Sequence, residues 1–358
     1  MIRLFRALAG FLIFNALVGC QTRPLEYFEP QSTVAATDSK GYQVDAPDVW
    51  GGDVRCSADA CLLALIEHEN GVLRVYELDR VGARLMASQS LSYHPDAAAW
   101  INEHLIAATV ESTQTVDVFS YSDSKLTPVT RIPVGFQPRN VILTHSEEGR
   151  YELLATPYSG DVVAWIDLDE RNPANAFVRR ERWCKAPWNP VSAQKYPGGA
   201  GPGIVVACRD DRKLIARANA KMAEPRVLAE FSPVPSMVGT SPSGEWLYVA
   251  FELGGKNLRI NTHTGVQQWM PASLEGSVAV VALSEDIIIW AEDSKIKLQK
   301  IDEAGIVLET RWLPTSGFST KIQLIDIDRD GEKDLVVLNS AGNHSDILFG
   351  PLWENANP

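Results

Sequence analysis

From Val54 to Phe349 the apolar residues fall in short runs rich in β-branched and aromatic side chains, each ended by Gly, Asn, Asp, Ser or Pro. No stretch carries a convincing amphipathic helical period. Such runs predict β-strands joined by tight turns. The pattern is clearest in residues 131–251. There Ile132-Pro-Val-Gly-Phe-Gln-Pro-Arg-Asn-Val141, a Glu-Glu-Gly turn, residues 151–156, a Ser-Gly turn and Val162-Val-Ala-Trp-Ile-Asp167 read as strand, turn, strand, turn, strand. Residues 235–251 repeat it, interrupted at Ser243-Gly244.

The runs group at a fixed pitch. First strands are predicted to begin near Val54, Ala97, Arg139, Pro190, Pro235, Ser277 and Thr320, spaced by about 43, 42, 51, 45, 42 and 43 residues. Four short strands every forty to fifty residues are the signature of propeller blades. The second unit is predicted to hold strands at 97–101, 104–110, 115–121 and 126–134, and the sixth at 278–283, 286–291, 295–301 and 306–313. The seventh has 321–325, 333–338 and 346–349 but no good fourth strand, whereas 41–46 lies unassigned upstream. An open ring exposes strand edges, so that segment is expected to supply the missing strand. The expected fold is all-β, a seven-bladed β-propeller of four-stranded antiparallel blades over residues 41–358, closed by an N-terminal strand.

The first twenty residues set an expected address. Met1-Ile-Arg-Leu-Phe-Arg6 is a basic start, 7–18 is an apolar run too short to span a bilayer, and Leu17-Val-Gly-Cys20 follows. That ending resembles a bacterial lipobox, which implies a leader over 1–19, lipidation of Cys20, and a membrane anchor of several acyl chains. In lipoproteins an aspartate after the cysteine tends to retain the protein at the inner membrane. Gln21 stands there instead, so the resemblance implies the outer membrane, on either side of it. Residues 20–40 are polar and aperiodic and read as a tether spanning about 25 Å.

Without residues 1–19, 31 basic residues face 45 acidic ones, a formal charge of −14. Such a surface repels nucleic acid, which excludes that class of partner. Cys56, Cys61, Cys184 and Cys208 remain, an even number in an exported chain. Of the three formal pairings, Cys56 with Cys61 and Cys184 with Cys208 are expected, because each pair is close in sequence and falls where neighbouring strands end. Unpaired buried thiols are the alternative.

The 131–251 copies resemble YVTN-type propeller repeats at Ile132, Val134, Gly135, Pro138, Val141 and Gly149, and again at Pro235, Ser241, Gly244, Tyr248, Val249 and Ala250. Asn261-Thr-His-Thr-Gly-Val-Gln-Gln-Trp269 resembles one blade of the PQQ type, a kind also found in an outer-membrane assembly lipoprotein. These resemblances imply the fold and leave function open.

Asp326-Ile-Asp-Arg-Asp-Gly-Glu-Lys-Asp334 is the sharpest local motif. Carboxylates at positions 1, 3, 5 and 9 around a glycine can turn several hard oxygens onto one cation, as calcium requires. It is not an EF-hand, since Val337 stands where that loop needs a glutamate. It resembles the FG-GAP or VCBS repeat, which implies structural Ca2+ on Asp326, Asp328, Asp330 and Asp334 in the hairpin between a blade's first two strands. A metal-free acidic turn is the alternative.

Other chemistry is sparse. His68, His94, His104, His145, His263 and His344 are scattered without ligand spacing, so a transition-metal site would need convergence across blades. Gly239-Thr-Ser-Pro-Ser243 lacks the last glycine of a nucleophile elbow. Trp165, Trp246 and Trp290 lie within strands and are expected between blades. Phe136, Arg139 and Trp188 fall in connections that emerge around the central channel, where aromatic and arginine residues anchor partners. Covering the ends of neighbouring blades is their alternative role. The expected function is a non-catalytic scaffold or adaptor for an envelope protein. Binding of a surface glycan, or lactonase or lyase activity, are the alternatives.

Overall fold

The computed structural model describes residues 40–199, 201–218 and 224–357. Their strands pair into seven four-stranded antiparallel sheets. The first strand of each blade is Val49–Cys56, Pro95–Trp100, Pro138–Glu147, Pro187–Ala193, Pro235–Thr240, Ala279–Ala282 and Phe318–Ile325. Each touches the first strand of the next blade, and the seventh touches the first, so the seven form a ring around a channel. The molecule is a seven-bladed β-propeller.

Burial follows position in the blade. Second strands such as Cys61–Glu67, Leu105–Val110 and Gly203–Cys208 are buried throughout, because sheets cover both of their faces. Fourth strands such as Phe177–Arg182 and Val307–Pro314 are mostly exposed or half-buried at the rim. The core is a set of layers between blades. Ala99, Ala107 and Val118 of the second blade pack on Leu153 and Ile166 of the third. Trp165 and Trp290 are fully buried between blades as expected, whereas Trp246 is half-buried.

The ring closes as the chain pattern predicts. Gly41–Asp45 pairs antiparallel with His344–Leu348, in register from Gly41 opposite Leu348 to Asp45 opposite His344. A Cβ on Gly41 would lie 2.2 Å from the Ile347 carbonyl oxygen, so only glycine fits the start of this strand. Tyr42 and Val44 are buried beside Leu63, Val336 and Ile347, and the Tyr76 hydroxyl donates to Asp45 O at 2.8 Å. Burying two such side chains contributes about 3–6 kcal/mol to holding the ring shut. Lys40, assigned to the tether, already belongs to the closure, since its carbonyl accepts the Phe349 N–H at 2.9 Å. Cys20 and the rest of the leader and tether lie outside the described residues.

Two strand starts differ from expectation, for physical reasons. The first blade begins at Val49, not Val54, because Gly51 and Gly52 are packing glycines inside the strand. A Cβ on Gly51 would meet Asp96 O at 2.5 Å, and one on Gly52 would meet Ala64 O at 2.6 Å. The fourth blade begins at Pro187, not Pro190, because an irregularity between Trp188 and Val191 absorbs the second proline. Both disulfides form as expected. Cys56–Cys61 clips the first hairpin of the first blade, and Cys184–Cys208 ties the entry of the fourth blade to its second strand.

Candidate functional site

Proline opens four of the seven first strands, at Pro95, Pro138, Pro187 and Pro235, where no ladder N–H is required. Within two residues of the strand start, six of the seven ladders break register: between Val49 and Gly51, Pro95 and Ala98, Pro138 and Asn140, Trp188 and Val191, Pro235 and Met237, and Ser319 and Lys321. A bulge frees a residue from the ladder and re-aims its side chain. The residues freed here include Trp50, Asp96, Arg139, Asn189, Ser236 and Thr320. All six line one cavity of about 450 Å³ at the mouth of the channel. The mouth is thus assembled in part from the bulges of six blades, with Val278 in the corresponding place of the sixth, which has none.

Arg139 is the centre of this cavity. Its guanidinium carbon lies 4.2 Å from the Trp188 ring centroid, 5.0 Å from that of Trp50 and 5.3 Å from that of Tyr158. Three aromatic rings thus surround the cation at cation–π distance. Among the described residues no hydrogen bond or ion pair reaches that guanidinium. Burial lowers its pKa, against the opposing pull of Asp96, Tyr158 and Glu111, yet arginine stays charged at any ordinary pH.

The surrounding groups are fixed. The Trp188 indole N–H donates to Tyr158 O at 3.1 Å. Asn140 donates to the Asn189 side chain at 3.0 Å, and Asn189 donates to Ser236 O at 3.0 Å, linking the third, fourth and fifth blades. Glu252, also on the lining, is gripped by Arg209 through bonds of 3.0 and 2.9 Å. Arg209 in turn lies 4.7 Å from the other tryptophan partner of Arg139, the Trp188 ring.

A second cluster borders the same mouth, between the first and second blades. His68 sits in a turn of the first blade, His94 in the connection to the second, Asp96 in its first strand and Glu111 at its second hairpin. The His68 Nδ1 lies 3.0 Å from Pro95 O and 3.2 Å from Asp96 Oδ1. Burial opposes charge on this ring, but Asp96, Pro95 and Asp48 outweigh it and raise its pKa. The two imidazoles stack at 4.3 Å, and His94 Nδ1 lies 3.9 Å from Glu111 Oε2. Burial first, and then the adjacent Asp96, push the Glu111 carboxyl up to about 8. Sequence reading left these histidines as scattered. The one hint it offers is the Pro-X pair at the head of four of the first strands.

The residues expected to anchor a partner divide. Arg139 and Trp188 meet in the cavity, whereas Phe136 packs against the core shared by the second and third blades.

The acidic loop follows the first strand of the seventh blade and so lies at the opposite end of the disc from the mouth. It falls in the hairpin between that blade's first two strands. Oxygens of Asp326, Asp328 and Asp334 come within 4.8 Å of one another. Asp334 is fully buried and accepts from Ile327 N at 2.7 Å and Gly350 N at 2.9 Å. Burial raises its pKa, the two N–H groups lower it, and the charges of Asp328 and Asp330 raise it further. Asp326 Oδ1 is buried without a hydrogen-bond partner, an atom that suits a cation. Asp330 stands outside this trio, and Arg80 pairs with Asp328 and lies 3.5 Å from Asp330.

No protein-family model matches the chain, and no curated protein matches it by sequence. Solved structures do match by fold. Hydrazine synthase of Kuenenia stuttgartiensis aligns with a TM-score of 0.65 at 12% identity, over 86% of this chain and 97% of that one. Virginiamycin B lyase of Staphylococcus aureus aligns at 0.61 and 10%, over 89% and 98%. A candidate 6-phosphogluconolactonase of Bacteroides fragilis aligns at 0.61 and 14%, over 76% and 86%. At these identities the likeness establishes the propeller and nothing finer.

Proposed function

We propose that this protein is a binding propeller that takes a small organic anion, a carboxylate or a phosphate ester, on Arg139 at the channel mouth. The supporting observation is a half-buried guanidinium held by three aromatic faces in a cavity, with no protein partner for its donors. A planar fork of N–H groups matches carboxylate and phosphate oxygens in pairs. Neighbouring acids compete little for it. Arg209 occupies Glu252, His68 faces Asp96, and burial raises the pKa of the Glu111 carboxyl, which disfavours its charge.

Calorimetric titration with acetate, citrate, gluconate and inorganic phosphate at constant ionic strength tests the reading. At least one is expected to bind saturably at one per chain, and Arg139→Gln to weaken it by about ten- to a hundred-fold, as for loss of a charge-assisted bond. Absence of binding across the panel, or binding indifferent to Arg139→Gln, overturns it.

A scaffold role for an envelope protein has one supporting observation of its own. Tyr93, Leu253, Leu274 and Phe318, at 61%, 64%, 86% and 37% exposure, stand around the same mouth, and such apolar rims suit a covering partner. Crosslinked capture from membranes that is lost with Leu274→Glu supports that role, and capture unchanged by it speaks against it. In either case the proposed anchor is lipidated Cys20 in the outer membrane. The acidic loop is proposed as a structural calcium site on Asp326, Asp328 and Asp334, where the ion would offset the repulsion of three converging carboxylates.

A further inference from the structure

We propose that His68, His94 and Glu69 form a site for a divalent transition metal, of the zinc class, on the rim of the channel mouth. Donor atoms of these three residues lie within 4.8 Å of one another. Ligands of one tetrahedral zinc stand about 3.3 Å apart, so to hold one ion the three side chains draw closer and the two stacked rings turn their edges to a common point. Two imidazoles with one carboxylate select zinc-like ions over calcium or magnesium, which prefer oxygen alone.

The hydrogen bonding around the histidines supports this assignment. His68 Nδ1 faces two acceptors, Pro95 O at 3.0 Å and Asp96 Oδ1 at 3.2 Å, so the proton sits on Nδ1 and the lone pair of the neutral ring is on Nε2. Asp96 is itself 3% exposed and held in the second blade's bulge. A carboxylate behind an imidazole, fixing its tautomer and raising its basicity, is the usual outer partner of a metal-bound histidine. His94 Nδ1 lies farther from its acid, 3.9 Å from Glu111 Oε2. Its Nε2 is buried and has no hydrogen-bond partner among the described residues. The His94 backbone is left-handed, with φ of 56°, a conformation uncommon for histidine, and it places the ring in a stack 4.3 Å from His68.

Glu69 is exposed, so an ion here keeps a coordination position open to solvent. Trp50 touches both regions of the mouth, with its ring 5.0 Å from the His68 ring and 5.0 Å from the Arg139 guanidinium. Metal binding does not depend on the anion at Arg139, and each can fail without the other.

The test is equilibrium dialysis of the untagged full chain, stripped with chelator, against Zn2+, with Co2+ as a spectroscopic probe. One zinc per chain and a visible Co2+ absorption band typical of four or five ligands are expected. His94→Ala, at a partly exposed residue, is expected to lower zinc affinity at least ten-fold while far-ultraviolet circular dichroism stays unchanged. Asp96→Asn is expected to lower it about ten- to a hundred-fold, since it alters only the partner of a ligand. Asp328→Ala, in the acidic loop, is expected to leave it unchanged. No stoichiometric zinc, or zinc retained by His94→Ala and lost by Asp328→Ala, overturns the proposal.

Discussion

The two ends of this propeller were built in opposite ways. The acidic loop is one continuous stretch, nine residues of a single hairpin, and three of its five carboxylates converge. The mouth at the other end has no continuous motif. Its lining comes from several blades, and six of its residues, from Trp50 to Thr320, are freed by bulges near the heads of first strands. The contrast separates two routes to a site: local chain geometry shapes the loop, whereas closure of the whole ring shapes the mouth. Damage to the loop should therefore register as stability, and damage to the mouth as binding.

The largest expected effect tests the first half of that contrast. Asp334→Ala leaves the Ile327 and Gly350 N–H groups without their acceptor in a buried site and should cost about 3 kcal/mol of unfolding free energy, read by urea denaturation. A loss below about 1 kcal/mol would mean that the hairpin is not held by this carboxylate. The next effect tests the other half. Arg139→Gln should leave unfolding free energy within about 1 kcal/mol, since three ring contacts are exchanged for relief of a buried charge. A loss as large as that of Asp334→Ala would make Arg139 a structural residue and erase the distinction between the two ends. The smallest effect sharpens the loop alone. Asp328→Ala should lower the melting temperature more in calcium than in chelator, where its pair with the exposed Arg80 and its bond from the Asp330 N–H are lost, together worth about 1–2 kcal/mol. A shift no larger in calcium than in chelator would remove calcium from the account.

Legibility in the sequence followed the same division. The blade pitch could be read because each blade is a local meander whose turns carry Gly, Asn, Asp and Ser. The closing strand could be read because the seventh unit visibly lacked a partner for 346–349, and residues 41–46 had none of their own. Both disulfides joined neighbouring segments and were equally local. Strand starts were missed by a few residues at Val49 and Pro187, where packing glycines and a bulge look like turns in one dimension. Arg139 and Trp188 were singled out from their position in blade connections, but their meeting in one cavity was not visible. Phe136 looked equivalent to them and instead fills the core. The pairing of His68 with His94 depends on two blades standing side by side, so spacing along the chain carries no sign of it.

The central claim, that the Arg139 donors are reserved for an anion, is tested most directly by nuclear magnetic resonance of the arginine side chains. Protein labelled with nitrogen-15 would be titrated with citrate at constant ionic strength, the Arg139 Nε–H signal being identified by its absence from Arg139→Gln. The account predicts that this signal shifts saturably and exchanges more slowly with water as the anion binds. An Arg139 signal that stays in place while citrate binds elsewhere would contradict it.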